Sequence, residues 1–206
     1  GAAAFAGSAR RRGLVVSGRA SYQPGGGGAR AALERLAKTR PDAVVVMDDT
    51  LGVANVLRWR SGLGWGVPVV AGPLSTDQAA LSAIGEAGRG GVYAVVPAGV
   101  VVRPGTPSGG IRAFRDSVLH HLRRSSMDGS VVAFARGYDA VRMLANAASG
   151  ANATGAGDIR SYLESSGYQG LLASYSYSSS AHTGIPASQS AVVDLSSLAN
   201  GLFTGP

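Results

Sequence analysis

The sequence predicts an α/β fold of two lobes, with parallel sheets flanked by helices. Between Pro41 and Pro73 it writes one strand, helix, strand unit: Ala43–Met47 is a buried-type run and Val67–Ala71 is the next. Further strand and helix patterns alternate with it on short connections, as in a parallel sheet. After Val102 the alternation stops. Arg103-Pro104-Gly105-Thr106-Pro107-Ser108-Gly109-Gly110 reads as a linker, and the helices beyond it run back to back, which requires a different packing neighbourhood.

Taken in order, residues 2 to 12 read as a helix that Gly13 ends at a C-cap, and Leu14-Val15-Val16 opens a short strand. Ser21 to Gly28 is a loop with four consecutive glycines. Ala32, Leu33, Leu36 and Ala37 then recur at helical spacing until Arg40-Pro41 stops the run. A helix from about Thr50 to Leu63 places Val53, Val56, Leu57 and Arg60 on one side, with Trp59 and Trp65 covering its packing. Ser75-Thr76-Asp77-Gln78 fits a capping box, with Ser75 at the cap and Gln78 reaching back, ahead of a helix carrying Ala80, Leu81 and Ile84. Gly91–Val96 makes another strand.

Past the linker, one helix carries Ile111, Phe114, Val118 and Leu122, and the next carries Phe134, Tyr138, Val141 and Leu144, of which Phe134, Tyr138 and Val141 read as a core stripe. A further helix near Asp158–Glu164 follows. Ser174 to Ser180 is an edge strand or a loop, and Ala191–Leu195 is the last strand. The lobes are expected to join near Pro104 and again between Ala173 and Ala191.

Composition narrows the function classes. The 206 residues carry a formal charge of +7, from 18 Arg and a single Lys38 against 12 acids. Residues 1 to 104 hold 12 basic and 6 acidic side chains, so most of the excess lies there. Arg10-Arg11-Arg12 ends a helix, where cations complement the dipole, and no nucleic-acid motif accompanies it, so no nucleic-acid partner is expected. The absence of cysteine excludes disulfides, thiolate catalysis and thiolate metal sites. No apolar run approaches the ~20 residues of a membrane span, and the start lacks the order of a signal peptide, so a soluble segment is expected. An enzyme needs a nucleophile, a base and an orienting group, or metal ligands at workable spacing, and the chain shows none. His120 and His121 are adjacent and cannot both face one metal from a helix. His182 lies in a Ser-rich loop. No cofactor is expected.

In open parallel sheets ligands collect outside the carboxyl ends of the strands. Asp48, Asp49 and Thr50 follow the first strand of the central unit, and Leu74, Ser75 and Thr76 follow the second, so these six are the candidate ligand-binding residues. Asp49 is both a candidate ligand acceptor through charge-assisted hydrogen bonds and a preferred N-cap, and the two roles can coexist. Asp48 beside it invites a hard cation, but no regularly spaced acids or closing Glu complete such a site. Ser75 and Thr76 open a helix whose amides suit a carboxylate or phosphate.

Several stretches together resemble the carboxyl-terminal portion of a type I periplasmic solute-binding protein, of the branched-chain amino-acid-binding kind that serves ABC importers. They are Pro41–Val46, the Gly64 turn leading to Val67-Pro68-Val69, Ala133-Phe134-Ala135-Arg136-Gly137-Tyr138-Asp139-Ala140-Val141 with Leu144, Ala145 and Ala147 after it, and Tyr168-Gln169-Gly170. The resemblance implies a receptor of two lobes closing on a small solute, with the first lobe incomplete and Gly1 just after the turn that opens the second. Residues 1–104 would form the second lobe, 105–185 the mostly helical returning part of the first, and 186–206 a strand and tail returning to the second. Implied partners are a small-molecule ligand, the membrane permease of an ABC importer, and a missing first-lobe segment in the same or another chain. The implied setting is extracytoplasmic, lipid-anchored in the full-length form. Leu74 stands near where amino-acid binders of the family carry an acid for the ligand ammonium, which allows a more apolar ligand. The alternative is the ligand-sensing domain of a transcription regulator or signalling receptor, and a third reading is a doubly wound enzyme.

Overall fold

The computed structural model describes residues 2–23, 27–103, 105 and 109–205. Gly25 and Gly26 of the glycine run, and Pro104 and 106–108 of the expected linker, lie outside them. The chain divides into two compact units, 1–95 with 194–196, and 96–193 with 197–206.

In the first unit, helix α1 (Ala2–Arg11) buries only Ala6 and Ala9. It ends as expected at Gly13, whose φ of 75° permits a backbone bond from Leu14 N–H to the Ala9 carbonyl. Leu14-Val15-Val16 is not a strand, contrary to expectation. No ladder partner meets it among the described residues, and Val15 is 89% exposed. β-propensity alone does not make a strand where no neighbouring edge accepts its hydrogen bonds.

Helix α2 (Ala29–Ala37) buries Ala29, Ala32 and Leu33 and leads to strand β1 (Val44–Val46). Helix α3 (Thr50–Gly62) follows, then β2 (Val69–Ala71), helix α4 (Gln78–Ile84) and β3 (Val92–Pro97). The pairing is parallel throughout: Val44 and Val46 lie opposite Val69 and Ala71, which lie opposite Val92 and Ala94. These in-register residues are all buried and form the centre of the unit. The α3 face read from the sequence is confirmed, since Val53, Val56, Leu57 and Arg60 are all buried.

Arg60 is the one charge on that face. Its guanidinium donates to the carbonyls of Val67 (2.8 Å), Gly90 (3.2 Å) and Gly66 (3.4 Å), tying the end of α3 to the segments that enter β2 and β3. Burial pushes the group below its ordinary pKa. Arginine is suited to this because its planar fork presents several donors at once.

The second unit is mostly helical at first. Strand β4 (Val101–Val102) is followed by helices α5 (Gly109–His121), α6 (Val132–Ala151) and α7 (Ala156–Ser166). A short antiparallel pair, β5 (Tyr168–Gln169) and β6 (Ser174–Tyr175), comes next, so the Tyr-rich stretch starts as a strand and continues as a loop. Strand β7 (Ser190–Asp194) agrees with the last expected strand. The tail then forms a hairpin of β8 (Leu198–Ala199) and β9 (Leu202–Thr204), with β9 parallel to β4 and Phe203 fully buried.

The expected core stripe of α6 is a correction. Phe134, Tyr138 and Val141 are 45%, 43% and 68% exposed, and Leu144 is 50% exposed as well, whereas α6 buries Val132, Ala135, Asp139 and Ala147. The apolar pattern marks a face that nothing in the described residues covers, apart from Phe114 of α5 against Tyr138 at 5.0 Å.

Asp139 is 1% exposed and accepts three hydrogen bonds, from Leu171 N–H (2.8 Å), Leu172 N–H (3.0 Å) and the Tyr175 hydroxyl (2.9 Å). It therefore fixes the turn between β5 and β6 on α6. Two sequence markers thirty residues apart, Gly137-Tyr138-Asp139 and Tyr168-Gln169-Gly170, belong to one hydrogen-bonded structure. Burial, and then the bond to Asp139, raise the Tyr175 phenol above its ordinary pKa.

Two predictions follow from these buried charges. Arg60→Met keeps the apolar stem but leaves carbonyls unsatisfied, and should lower unfolding stability by about 1–3 kcal/mol in urea titration. Asp139→Ala should cost a similar ~2–3 kcal/mol, and should speed hydrogen exchange at Leu171 and Leu172 ahead of the rest of the second unit.

Candidate functional site at the strand ends of the first unit

The turn after β1 is built around the first residues of α3. Asp49 is the N-cap of that helix, with extended backbone, and its Oδ1 accepts the Gly52 N–H at 2.8 Å. The capping role is thus realised, and the residue remains exposed. Asp48 turns the other way. Its Oδ1 accepts the Asp49 N–H at 2.8 Å, and its carboxylate lies so close over Gly52 that a Cβ there would run into it. It also accepts the Tyr22 hydroxyl, and burial followed by this bond raises the Tyr22 phenol above its ordinary pKa.

The turn after β2 departs from the expected capping box. Pro73–Thr76 is one turn of 3-10 helix, α4 starts at Gln78, and Asp77 occupies its cap position without a side-chain capping bond. The Ser75 hydroxyl donates to the Gly72 carbonyl (2.8 Å) and the Thr76 hydroxyl to the Pro73 carbonyl (2.7 Å). Both residues are fully buried, so they shape the turn, while Leu74 stands exposed beside them. A proline sets the φ of a tight turn, and hydroxyls two and three residues later close it on the backbone, which competes with the box geometry.

The two turns meet. Thr50 Oγ1 donates to Asp77 Oδ2 at 3.1 Å, across 27 residues of sequence. The structure thus brings Asp48, Asp49 and Thr50 beside the turn carrying Leu74, Ser75 and Thr76, and adds Tyr22 and Asp77. Tyr22 had no sequence signal, because it stands in a polar loop before the glycine run. Asp77 was visible only as a middle letter of the presumed box. Three carboxylates, of Asp48, Asp49 and Asp77, gather in a half of the chain that is otherwise basic. Exposed groups at this edge, Asp49 and Leu74, pair an anionic acceptor with an apolar surface. That combination suits a molecule with a cationic or hydroxylated end and an apolar body. Among the described residues, no cluster of His, Asp and Glu has the geometry to hold a metal ion.

Residues 1–200 match the periplasmic binding protein family. This chain belongs to the type I periplasmic binding protein family. Its fold is similar to that of a type 1 periplasmic binding protein from Bordetella pertussis, at 19% identity and a TM-score of 0.69, over 92% of this chain and 53% of that one. It is also similar to an ABC transporter substrate-binding protein from Aeropyrum pernix, at 17% identity and a TM-score of 0.71, over 98% and 55%. A third is a branched-chain amino acid ABC transporter protein from Thermus thermophilus solved with bound valine, at 18% identity and a TM-score of 0.65, over 96% and 53%. The chain thus spans about half the length of these solved relatives. No curated protein matches it. The family consists of non-enzymatic ligand binders that work outside the cytoplasm, and among the described residues no helix is long and apolar enough to cross a membrane.

The Asp48 and Tyr22 pair makes an alkaline prediction. A phenol whose folded pKa is raised contributes stability that is fully present below the unfolded value of ~10 and is lost as pH rises through the folded value. Stability should therefore fall with pH above ~10. The Tyr22→Phe variant should show a shallower fall, measured by urea unfolding at stepped pH.

Proposed function

We propose that this chain is part of an extracytoplasmic solute-binding receptor, one that captures a small, amino-acid-like or related molecule between two lobes and delivers it to the membrane permease of an ABC importer. The observation that carries the reading is the Thr50 to Asp77 bond, which joins the two strand-end turns into one edge of a family fold built to hold solutes. On this reading Asp48, Asp49, Thr50, Leu74, Ser75 and Thr76 form the second-lobe wall of the site. Asp49 accepts the polar end of the ligand and Leu74 meets its apolar part. Asp48, Ser75 and Thr76 hold the wall in shape. The bound valine of the Thermus thermophilus protein supports an amino-acid-like ligand. Leucine at position 74, in place of an acid, favours a more apolar one.

The same reading assigns residues 1–104 to the second lobe, 105–185 to the returning part of the first, and 186–206 to a strand and tail of the second. The rest of the first lobe comes from a further segment, in the same or another chain, and the full-length receptor is lipid-anchored at the cell surface. Such a receptor is not an enzyme. Two walls bury a ligand far better than one, so tight binding needs the whole receptor.

Thermal-shift screening of the full-length protein against aliphatic and aromatic amino acids, their amides and aromatic acids tests the proposal. A ligand at 100 times its Kd should stabilise by about 2.7 kcal/mol. Asp49→Ala should weaken binding about tenfold or more by removing a charged acceptor worth ~1.5–3 kcal/mol. Asp49→Ser retains a good helix cap, so a matching loss in that variant assigns the effect to ligand contact. Turnover of any hit, or stabilisation indifferent to both variants, sinks the proposal.

A further inference from the structure

The second unit holds a cavity of its own, built without any residue of the candidate solute site. It opens where α6, α7 and the β5–β6 pair meet, has a volume of about 490 Å³, and is lined by uncharged residues throughout. That volume lies within the range of small-molecule sites.

The walls are aromatic, and the rings are held in place. Tyr162 of α7 lies against the backbone of α6 at Gly150, where an added Cβ would collide with the ring. Tyr168 and Tyr175 pair across β5 and β6, with centroids 6.2 Å apart and planes tilted by 37°. The Tyr175 hydroxyl is anchored on Asp139 at 2.9 Å. Gly167 brings the end of α7 so close to β6 that a Cβ would meet the Tyr175 carbonyl at 2.6 Å. Three half-buried rings are thus already ordered, so a ligand laid on them loses little of its affinity to fixing side chains.

Between the rings the lining is polar. Among the described residues, the Asn146 carboxamide and the phenols of Tyr162 and Tyr168 have no hydrogen-bond partner. The Gln169 amide is oriented, since its oxygen accepts the Ser174 hydroxyl and its nitrogen donates to the Gly170 carbonyl at 3.3 Å. One N–H of that amide is left over.

This lining selects by exclusion. An ion would give up its hydration and find no countercharge. A wholly apolar guest would cover amides and phenols without satisfying them. A molecule with flat C–H faces and a rim of neutral hydroxyls meets both demands, laying its faces on aromatic rings and its hydroxyls on carboxamides. We infer that this cavity is a second binding site, for a neutral saccharide, with Tyr162 and Tyr168 as its stacking faces and Asn146 and Gln169 as its hydrogen-bonding rim. The site is independent of the strand-end edge of the first unit and of the receptor reading attached to it.

Maltose, cellobiose and N-acetylglucosamine are the probes, each added to the full-length protein and followed by saturation-transfer NMR and calorimetry. Transfer to the ring protons of at least one of them is expected, with a Kd on the order of 1 mM because the cavity is open on one side. Tyr162→Ala and Asn146→Ala should each weaken binding about three- to tenfold, the scale of one aromatic contact or one hydrogen bond. Asn146 is exposed on α6 and alanine is the better helix former, so this variant folds even if Tyr162→Ala loosens α7. Asp49→Ala should leave saccharide binding unchanged. No binding by any of the three probes, binding indifferent to both cavity variants, binding lost in Asp49→Ala, or adenosine held more tightly than every saccharide each overturns the inference. Saccharide binding with the expected pattern in a protein that takes no amino-acid-like solute defeats the receptor reading alone and leaves this site standing.

Discussion

Parallel pairing of β1, β2 and β3 is the constraint from which the chemistry of the first unit follows. Strands that run the same way in register deliver every strand-to-helix turn to one edge of the sheet, and each turn there begins with unsatisfied helix amides. Asp49 takes one of those amides, and the 3-10 turn at Pro73–Thr76 consumes its own hydroxyls in closing. The Thr50 to Asp77 bond then locks neighbouring turns to each other. Had the strands paired antiparallel, the same residues would lie at opposite ends of the sheet.

Two buried charges do comparable work in the two units, with opposite sign. Arg60 gathers carbonyls where chains enter strands, and Asp139 gathers amides and a phenol where a turn leaves α7 and β5. Among the described residues, neither is held in a salt bridge. Each is neutralised by peptide dipoles, which order the irregular segments that apolar packing cannot specify. An unpaired ion would be expensive to bury, but one that accepts or donates several hydrogen bonds serves as an organiser of loops.

Legibility in the sequence followed the physics of each element. Strands β1 to β3 and the buried face of α3 were readable because their apolar runs and spacing are local. The family markers were readable through their order, although the reason they occur together, the Asp139 bonds to the turn after α7, is a long-range contact no window of sequence displays. The α6 stripe was recognised as apolar and misplaced as core, since periodicity reports which residues want burial and says nothing of what buries them. Leu14-Val15-Val16 failed for a related reason: strand formation needs a neighbour. At the site, the capping role of Asp49 was identified, whereas Tyr22 entered only through the fold. The capping box at Ser75 failed because Pro73 favours a tighter turn.

The division of labour between Asp48 and Asp49 bears on which positions at this edge can change. Gly52 has no space for even a methyl group beneath the Asp48 carboxylate, so the close seat of Asp48 on the helix that follows depends on glycine there. Leu74 stands exposed on the rim, where replacement touches little of the scaffold, whereas Asp49 is exposed but caps α3. Substitution at position 74 can therefore alter the surface of this edge while the framework beneath it stays fixed.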